Sequence, residues 1–186
     1  MTPINFTGSF VKNVTISKSI ADGKMKPENV ALVKLDKADP RDTMTLAETA
    51  YKWENVASGY ASNIYCDSLK TKNYPDVSNE HYFALTTQKE NFEKLEADKI
   101  LGLSLFYEKQ SPNNEIAWLQ ANPSTNHEAG QRTYKNIGKA LVNFMKGLFK
   151  KPIFVQTDKK AIPFYQKLGF IQTERLPEQM IYKQEL

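Results

Sequence analysis

The stretch KNIGKALVNFMKGLFKKPIFVQTDKKAIPFYQKLGF, residues 135–170, decides the fold. Ile137, Leu141, Phe144 or Met145, and Leu148 recur every three or four residues, which predicts a helix of about three turns. PIFVQT follows as a short apolar run and reads as a buried strand, and AIPFYQKLGF as a short helix ended by Gly169. The hexapeptide Lys135 to Ala140 sits where the first helix opens. Gly138 allows another group to approach the backbone closely, and the first amides of a helix have no acceptor within it. The helix dipole and the side chains of Lys135 and Lys139 add positive charge there, so taken alone the loop is either an anion site or simply the start of a helix, where glycine is common.

Working outward, HYFALTT, KILGLSLFYEK and EIAWLQA precede this unit as three short β-rich runs. QKENFEKLEADK between the first two reads as a long hairpin loop or a helical turn, and SPNN at 111–114 as a hairpin turn. NPSTNHEAGQRTY has no apolar face. Nearer the N-terminus, residues 3–35 look extended: Phe6, Phe10, Val14 and Ile16 share a face, Asp22-Gly23 signals a turn, and Asn29 to Asp36 is a strand. Past Pro40, Asp42 or Thr43 is the expected cap of a helix whose stripe runs Leu46, Ala50, Trp53, Ala57, Tyr60 or Ala61, and Ile64. Residues 67–80 read as a loop and MIYKQ as the last strand. The order is β, α, three strands, then β-α-β-α-β, a mixed sheet with helices on it.

Composition narrows the classes. The 186 residues are 40% hydrophobic, with ten Phe, nine Tyr and two Trp, which is core enough to exclude disorder. The longest apolar runs, such as Val30 to Val33, are far too short to span a bilayer, and the first residues lack a signal-peptide layout. The single cysteine, Cys66, allows neither an internal disulfide framework nor a Cys-based metal site, and no other ligand spacing suggests a metal. The expectation is a cytoplasmic globular protein of one domain, residues 1–186. The net charge is +4, but most lysines alternate with acids, no basic run reaches five residues and no nucleic-acid motif appears. The exception is 131–160, where Asp158 is the only acid among many Lys and Arg residues. That region calls for an anionic partner that need not be a polymer.

The Gly loop, helix, strand and AxxFYxxxGF element in this order resemble the GNAT superfamily of acyl-CoA-dependent N-acyltransferases, clearly over 81–183 and plausibly over 28–70. The resemblance implies an α/β (α+β) fold: a mixed, mostly antiparallel sheet of six to seven strands, helices on both faces and a splayed cofactor cleft. It implies acetyl-CoA as co-substrate, with the pantetheine arm between EIAWLQA and PIFVQT against Leu119, Gln120 and Ala121. The diphosphate would then lie on the amides of Asn136, Ile137, Gly138, Lys139 and Ala140, beside Lys135. Three features depart from the pattern. Lys135 stands where Gln or Arg is usual, Asp158 where Asn is usual, and the stretch from Pro123 to Lys135 is about eight residues longer.

The chemistry implied is direct transfer of an acetyl group to a primary amine in a ternary complex. A lysine-type amine with a pKa of about 10.4 is almost wholly protonated at neutral pH, so a base at the acceptor helps. Glu115 resembles the base that some members place at the start of this strand, with His127 and His81 as rivals. Tyr165 resembles the general acid that meets the departing thiolate. A phenol near pKa 10 is a weaker acid than a thiol near 8.5, so hydrogen bonding to the thiolate is easier than full proton transfer. A backbone amide near Leu119 to Ala121 would polarise the thioester carbonyl. The acceptor, a small-molecule or peptide amine, is not encoded legibly; Tyr51, Trp53, Tyr60 and Tyr65 suit an aromatic-lined site or the core. Two other classes are open: an acyl-CoA-binding regulatory module that has lost catalysis, and a nucleic-acid binder using the basic region. Oligomeric state is open too, a homodimer included.

Overall fold

A computed structural model of the chain describes residues 8–20, 23–56, 59–70, 74–125, 132–174, 176 and 178–183. Strands β1 (Ser9–Ser19) and β2 (Met25–Leu35) form the expected hairpin, turning at Gly23 with φ +71°. Helices α1 (Pro40–Glu54) and α2 (Ala61–Ser68) follow, then β3 (Val77–Thr86), β4 (Ile100–Lys109) and β5 (Asn114–Ala121). The chain continues through β6 (Tyr134–Lys135), α3 (Ile137–Leu148), β7 (Ile153–Gln156), α4 (Ile162–Lys167), β8 (Ile171–Gln172) and β9 (Gln179–Tyr182). All the described strands join one sheet, in the order β6-β1-β2-β3-β4-β5-β7-β9-β8. That is nine strands instead of six to seven; β6 and β8, two residues each, are too short to stand out in a sequence.

The sheet is mixed, as expected. β5 and β7 pair in parallel, and the other described pairings are antiparallel. Both faces are covered, so β2 reads as a continuous apolar run: Val30 and Leu32 pack with α3, whereas Ala31, Val33 and Leu35 pack with α1 and α2. Successive side chains of a strand point to opposite faces, which is why one strand feeds two cores. Gly102 on β4 sets how closely α3 docks. A Cβ there would lie 2.5 Å from Ile137 Cγ2 and 3.1 Å from Leu141 Cδ1.

Local structure differs from the sequence reading around α1. Asp39, not Asp42 or Thr43, is the cap: its carboxylate accepts the Arg41 amide at 2.8 Å, and Pro40 takes the first helical position. Asp42 is fully buried and accepts the amides of Gly8 (3.0 Å) and Asp36 (2.8 Å), tying the start of β1 to the end of β2. The apolar stripe belongs to two helices, because α1 ends at Glu54 and α2 begins at Ala61. The expected 67–80 loop is shorter, since β3 starts at Val77. Ala57, Asp22, His127 and Glu128 lie outside the described residues. Among the described residues, no helix is long and apolar enough to cross a membrane.

Candidate functional site

The site grows from the one parallel pair among the described strands. β5 and β7 hold register at Asn114 with Ile153, Glu115 with Phe154 and Ile116 with Val155, and there the pairing stops. On the other side of β5 the register against β4 slips between the Leu105–Trp118 and Phe106–Ile116 pairs, which makes Ala117 the extra residue of a β-bulge. A bulge bends its strand, so β5 leaves β7 just where the ladder ends. Beyond this point Ala121 and Leu119 face Gly102 and Ser104 on β4. The Asn122 amide donates to Leu101 oxygen at 2.8 Å, which makes these non-hydrogen-bonded pairs whose own amides and carbonyls turn away from β4.

A cleft of about 790 Å³ opens there, walled by Leu119 and Ala121 on one side and Val155 to Asp158 on the other. α3 points its first turn at the mouth. Asn136 makes the turn with φ +70°, a left-handed conformation that Asn tolerates better than most residues, and its side-chain amide donates to Ser17 Oγ at 3.2 Å. The amides of Ile137, Gly138 and Lys139 have no acceptor within the helix, whereas that of Ala140 already donates to Asn136 oxygen at 2.9 Å. Gly138 leaves room for α4: a Cβ would make a tight 3.1 Å contact with Phe164 Cζ. Arg132, Lys135, Lys139 and Lys167 line the same cleft, and Asp158 is its only acid among the described residues. The lysines of 131–160 therefore divide by role. Lys146 donates to Leu168 oxygen (2.8 Å) and Lys151 to Lys109 oxygen (2.8 Å), so neither is spent on the cleft.

Tyr165 forms the inner wall. It is 5% exposed, wedged edge-on between Phe164 (4.9 Å between ring centres) and Phe170 (5.3 Å). No hydrogen bond holds its hydroxyl among the described residues. Burial, then the neighbouring Tyr60 and Asp158, push its pKa well above the usual tyrosine value. Asp158 itself accepts the Ala161 amide at 2.9 Å and so fixes the entry to α4.

A second cavity of about 560 Å³ lies on the α2 side and shares with the first Tyr60, Ile116, Ala117, Trp118 and Gln156 to Asp158. Glu115 faces this one. Its carboxylate is 2.5 Å from Lys109 Nζ, which also reaches Asp76 at 3.2 Å. Burial opposes charge on Lys109, but Glu115 and Asp76 outweigh it and raise its pKa. Tyr60, Tyr74, Tyr107 and Trp118 supply the rings of this cavity.

The structure thus brings Leu119, Ala121, Lys135, Asn136, Ile137, Gly138, Lys139 and Tyr165 to one cleft and Glu115 to the adjoining cavity. It places Gln120 elsewhere. That side chain turns to the opposite face, where its Oε1 accepts the Ala61 amide at 2.6 Å and caps α2. Ala140 lines neither cavity and packs on the core. His81 lies among Phe83, Phe106 and Phe149, 3.3 Å from Glu108, and lines neither cavity; burial, opposed by Glu108, lowers its pKa. Of the four N-terminal aromatics, only Tyr60 lines a cavity; Trp53 is buried, Tyr65 packs on the core and Tyr51 is exposed. Trp118, Tyr107, Tyr74, Asp67 and Asp76 line the second cavity without belonging to any motif in the sequence. The alternation in EIAWLQA could have separated Trp118 and Gln120 from Leu119 and Ala121, but no sequence signal places Asp67 beneath the rings.

The fold, a sheet that opens beside its one described parallel pair with a basic helix start at the opening, is similar to that of solved GNAT-type structures. The crystal structure of a putative N-acetyltransferase from Lactobacillus plantarum has this fold, with a TM-score of 0.50 at 11% identity over 84% of this chain and 99% of that one. A putative GNAT-family acetyltransferase from Desulfovibrio desulfuricans aligns at a TM-score of 0.48 and 14% identity, over 83% and 99%. No protein-family model matches the sequence, and no curated protein sequence matches it.

Proposed function

We propose that the chain transfers an acetyl group from acetyl-CoA to a primary amine in a ternary complex. The observation that carries this reading is the junction at Ile116 and Ala117, where a basic cleft and a second cavity meet beside Tyr165. The cleft fits the co-substrate by its chemistry. The amides of Ile137, Gly138 and Lys139 with Lys135 and Lys139 suit a diphosphate, and the backbone of Leu119 and Ala121 offers hydrogen bonds to an amide-bearing arm. Gln120 and Ala140 have no part in that cradle.

Bound there, acetyl-CoA supplies the acetyl thioester. Glu115 takes the proton that the acceptor nitrogen must lose, after Lys109 has turned from Glu115 to Asp76. An amide of β5 beyond the bulge polarises the carbonyl. The N–C bond forms, the C–S bond breaks, and the thiolate leaves toward Tyr165. With its pKa raised, Tyr165 keeps its proton and donates a hydrogen bond to the sulfur, so the thiolate's proton comes from the one that the amine released.

The test is thiol release from acetyl-CoA over a panel of amines, with coenzyme A titrated by calorimetry on the same protein. Turnover that falls in Tyr165→Phe supports the reading, and absent coenzyme A binding removes it. The Lys109–Glu115 ion pair favours one second reading, a cofactor-binding module without catalysis. Binding with no thiol release for any amine would select it.

A further inference from the structure

We infer that the second cavity takes an aliphatic diamine or polyamine, acetylated at one nitrogen while the other stays charged among Tyr60, Tyr74, Tyr107 and Trp118. The inference deepens the acetyl-transfer reading and rests on it for the reaction, though not for binding. Tyr60 stacks on Trp118 at 5.3 Å between ring centres, and Tyr74 leans on Tyr107 at 5.5 Å. The faces of such rings attract cations. Asp67, 6% exposed, sets up both pairs at once: its Oδ2 accepts the Trp118 indole N–H at 2.8 Å and the Tyr107 hydroxyl at 2.9 Å. A carboxylate that accepts from a ring's own N–H or O–H pushes electron density into that ring and makes its face a better seat for a cation.

The ion pairs around the cavity do not close. Lys70 binds the other oxygen of Asp67, and Lys109 is shared by Asp76 and Glu115. Asp158, which lines this cavity too, has only the Ala161 amide among these contacts. Among the described residues, four carboxylates thus face two ammonium groups, and a guest with positive charge completes the set.

A monoamine fits this field badly as a nucleophile. Carboxylates hold an amine protonated, whereas acetylation needs it neutral. A second ammonium on the same molecule answers the field, and its repulsion helps the reacting nitrogen lose its proton. The same carboxylates turn away an acceptor that carries a carboxylate beside its amine.

Calorimetry on the full chain at low salt tests this with diaminobutane, butylamine and aminobutyrate as probes. Diaminobutane should bind about tenfold more tightly than butylamine, with aminobutyrate weakest. Asp76 is half exposed and its substitution is structurally mild, so Asp76→Asn should weaken diaminobutane several-fold. It should weaken butylamine less, because that guest carries one charge instead of two, and leave coenzyme A unchanged, because Asp76 does not line the basic cleft. Equal binding of diaminobutane and butylamine, preference for aminobutyrate, or no amine binding would each overturn the inference. Coenzyme A titrated alone keeps the two readings apart. Diamine selectivity without coenzyme A binding supports the cavity and removes acetyl transfer; coenzyme A binding with turnover indifferent to a second amine does the reverse.

Discussion

The two cavities that meet at Ile116 and Ala117 are opposite in charge. Among the described residues, the first is lined by Arg132, Lys135, Lys139 and Lys167 against one acid, the second by Asp67, Asp76, Glu115 and Asp158 against one lysine. They share a wall of Tyr60, Trp118 and the end of β7, so the change of sign happens across a few side chains. If the proposed reading holds, the contrast is how one small fold would draw two ligands of opposite charge to a common point and keep each out of the other's place. A polyanion would then be drawn to the α3 side and repelled by the α2 side, and an amine would experience the reverse. The modest overall charge of +4 conceals this, because net charge averages over a polarised interior.

The comparison breaks most visibly where the two cavities join. Tyr165→Phe should lower acetyl transfer by about a hundredfold, the usual scale for one donor at a developing negative charge, with coenzyme A affinity unchanged. Its raised pKa adds a pH signature: no alkaline loss of rate near pH 10 should arise from this phenol, because folded Tyr165 keeps its proton above the ordinary tyrosine value. By linkage, fold stability should fall as pH rises through 10, since the unfolded chain releases that proton and the folded one does not. Glu115→Gln acts on the other side. It should lower kcat/KM for amines by about ten- to a hundredfold at neutral pH and leave coenzyme A binding alone. If it weakened coenzyme A instead, the division between the cavities would be wrong.

The asymmetry also governs what the sequence made legible. The basic cleft is built from contiguous chain: Lys135 to Ala140 carries its helix start, and 161–170 carries its tyrosine, so local pattern alone locates both. Even there, hydrogen bonding decides details that spacing does not. Ala140 falls out because its amide is the first one used by the helix, and Gln120 because strand alternation turns it to cap α2. The acidic cavity is assembled from α2, the segment before β3, the end of β4 and the start of β5, with Asp67 and Trp118 fifty-one positions apart. Nothing local marks such a set. Asp67 looks like any polar helical residue until the fold sets two rings upon it, and the break between α1 and α2 sends Tyr60 to the cavity although its spacing fits a core stripe.

Two smaller effects sharpen the contrast. Lys135→Ala combined with Lys139→Ala should weaken coenzyme A about tenfold and flatten the salt dependence of its binding, while amine affinity stays constant. Asp158→Asn is the finer probe, because this residue lines both cavities. The asparagine oxygen can still accept the Ala161 amide, so the entry to α4 should be kept. What is lost is one negative charge that opposes the anion on one side and attracts the cation on the other. Coenzyme A should therefore bind about two- to fivefold more tightly and diaminobutane more weakly by a similar factor, on the scale of one partly screened charge. Opposite shifts from a single neutralisation are hard to obtain from damage to the fold, which would weaken both ligands together. Parallel shifts would mean that the two cavities do not divide their ligands by charge.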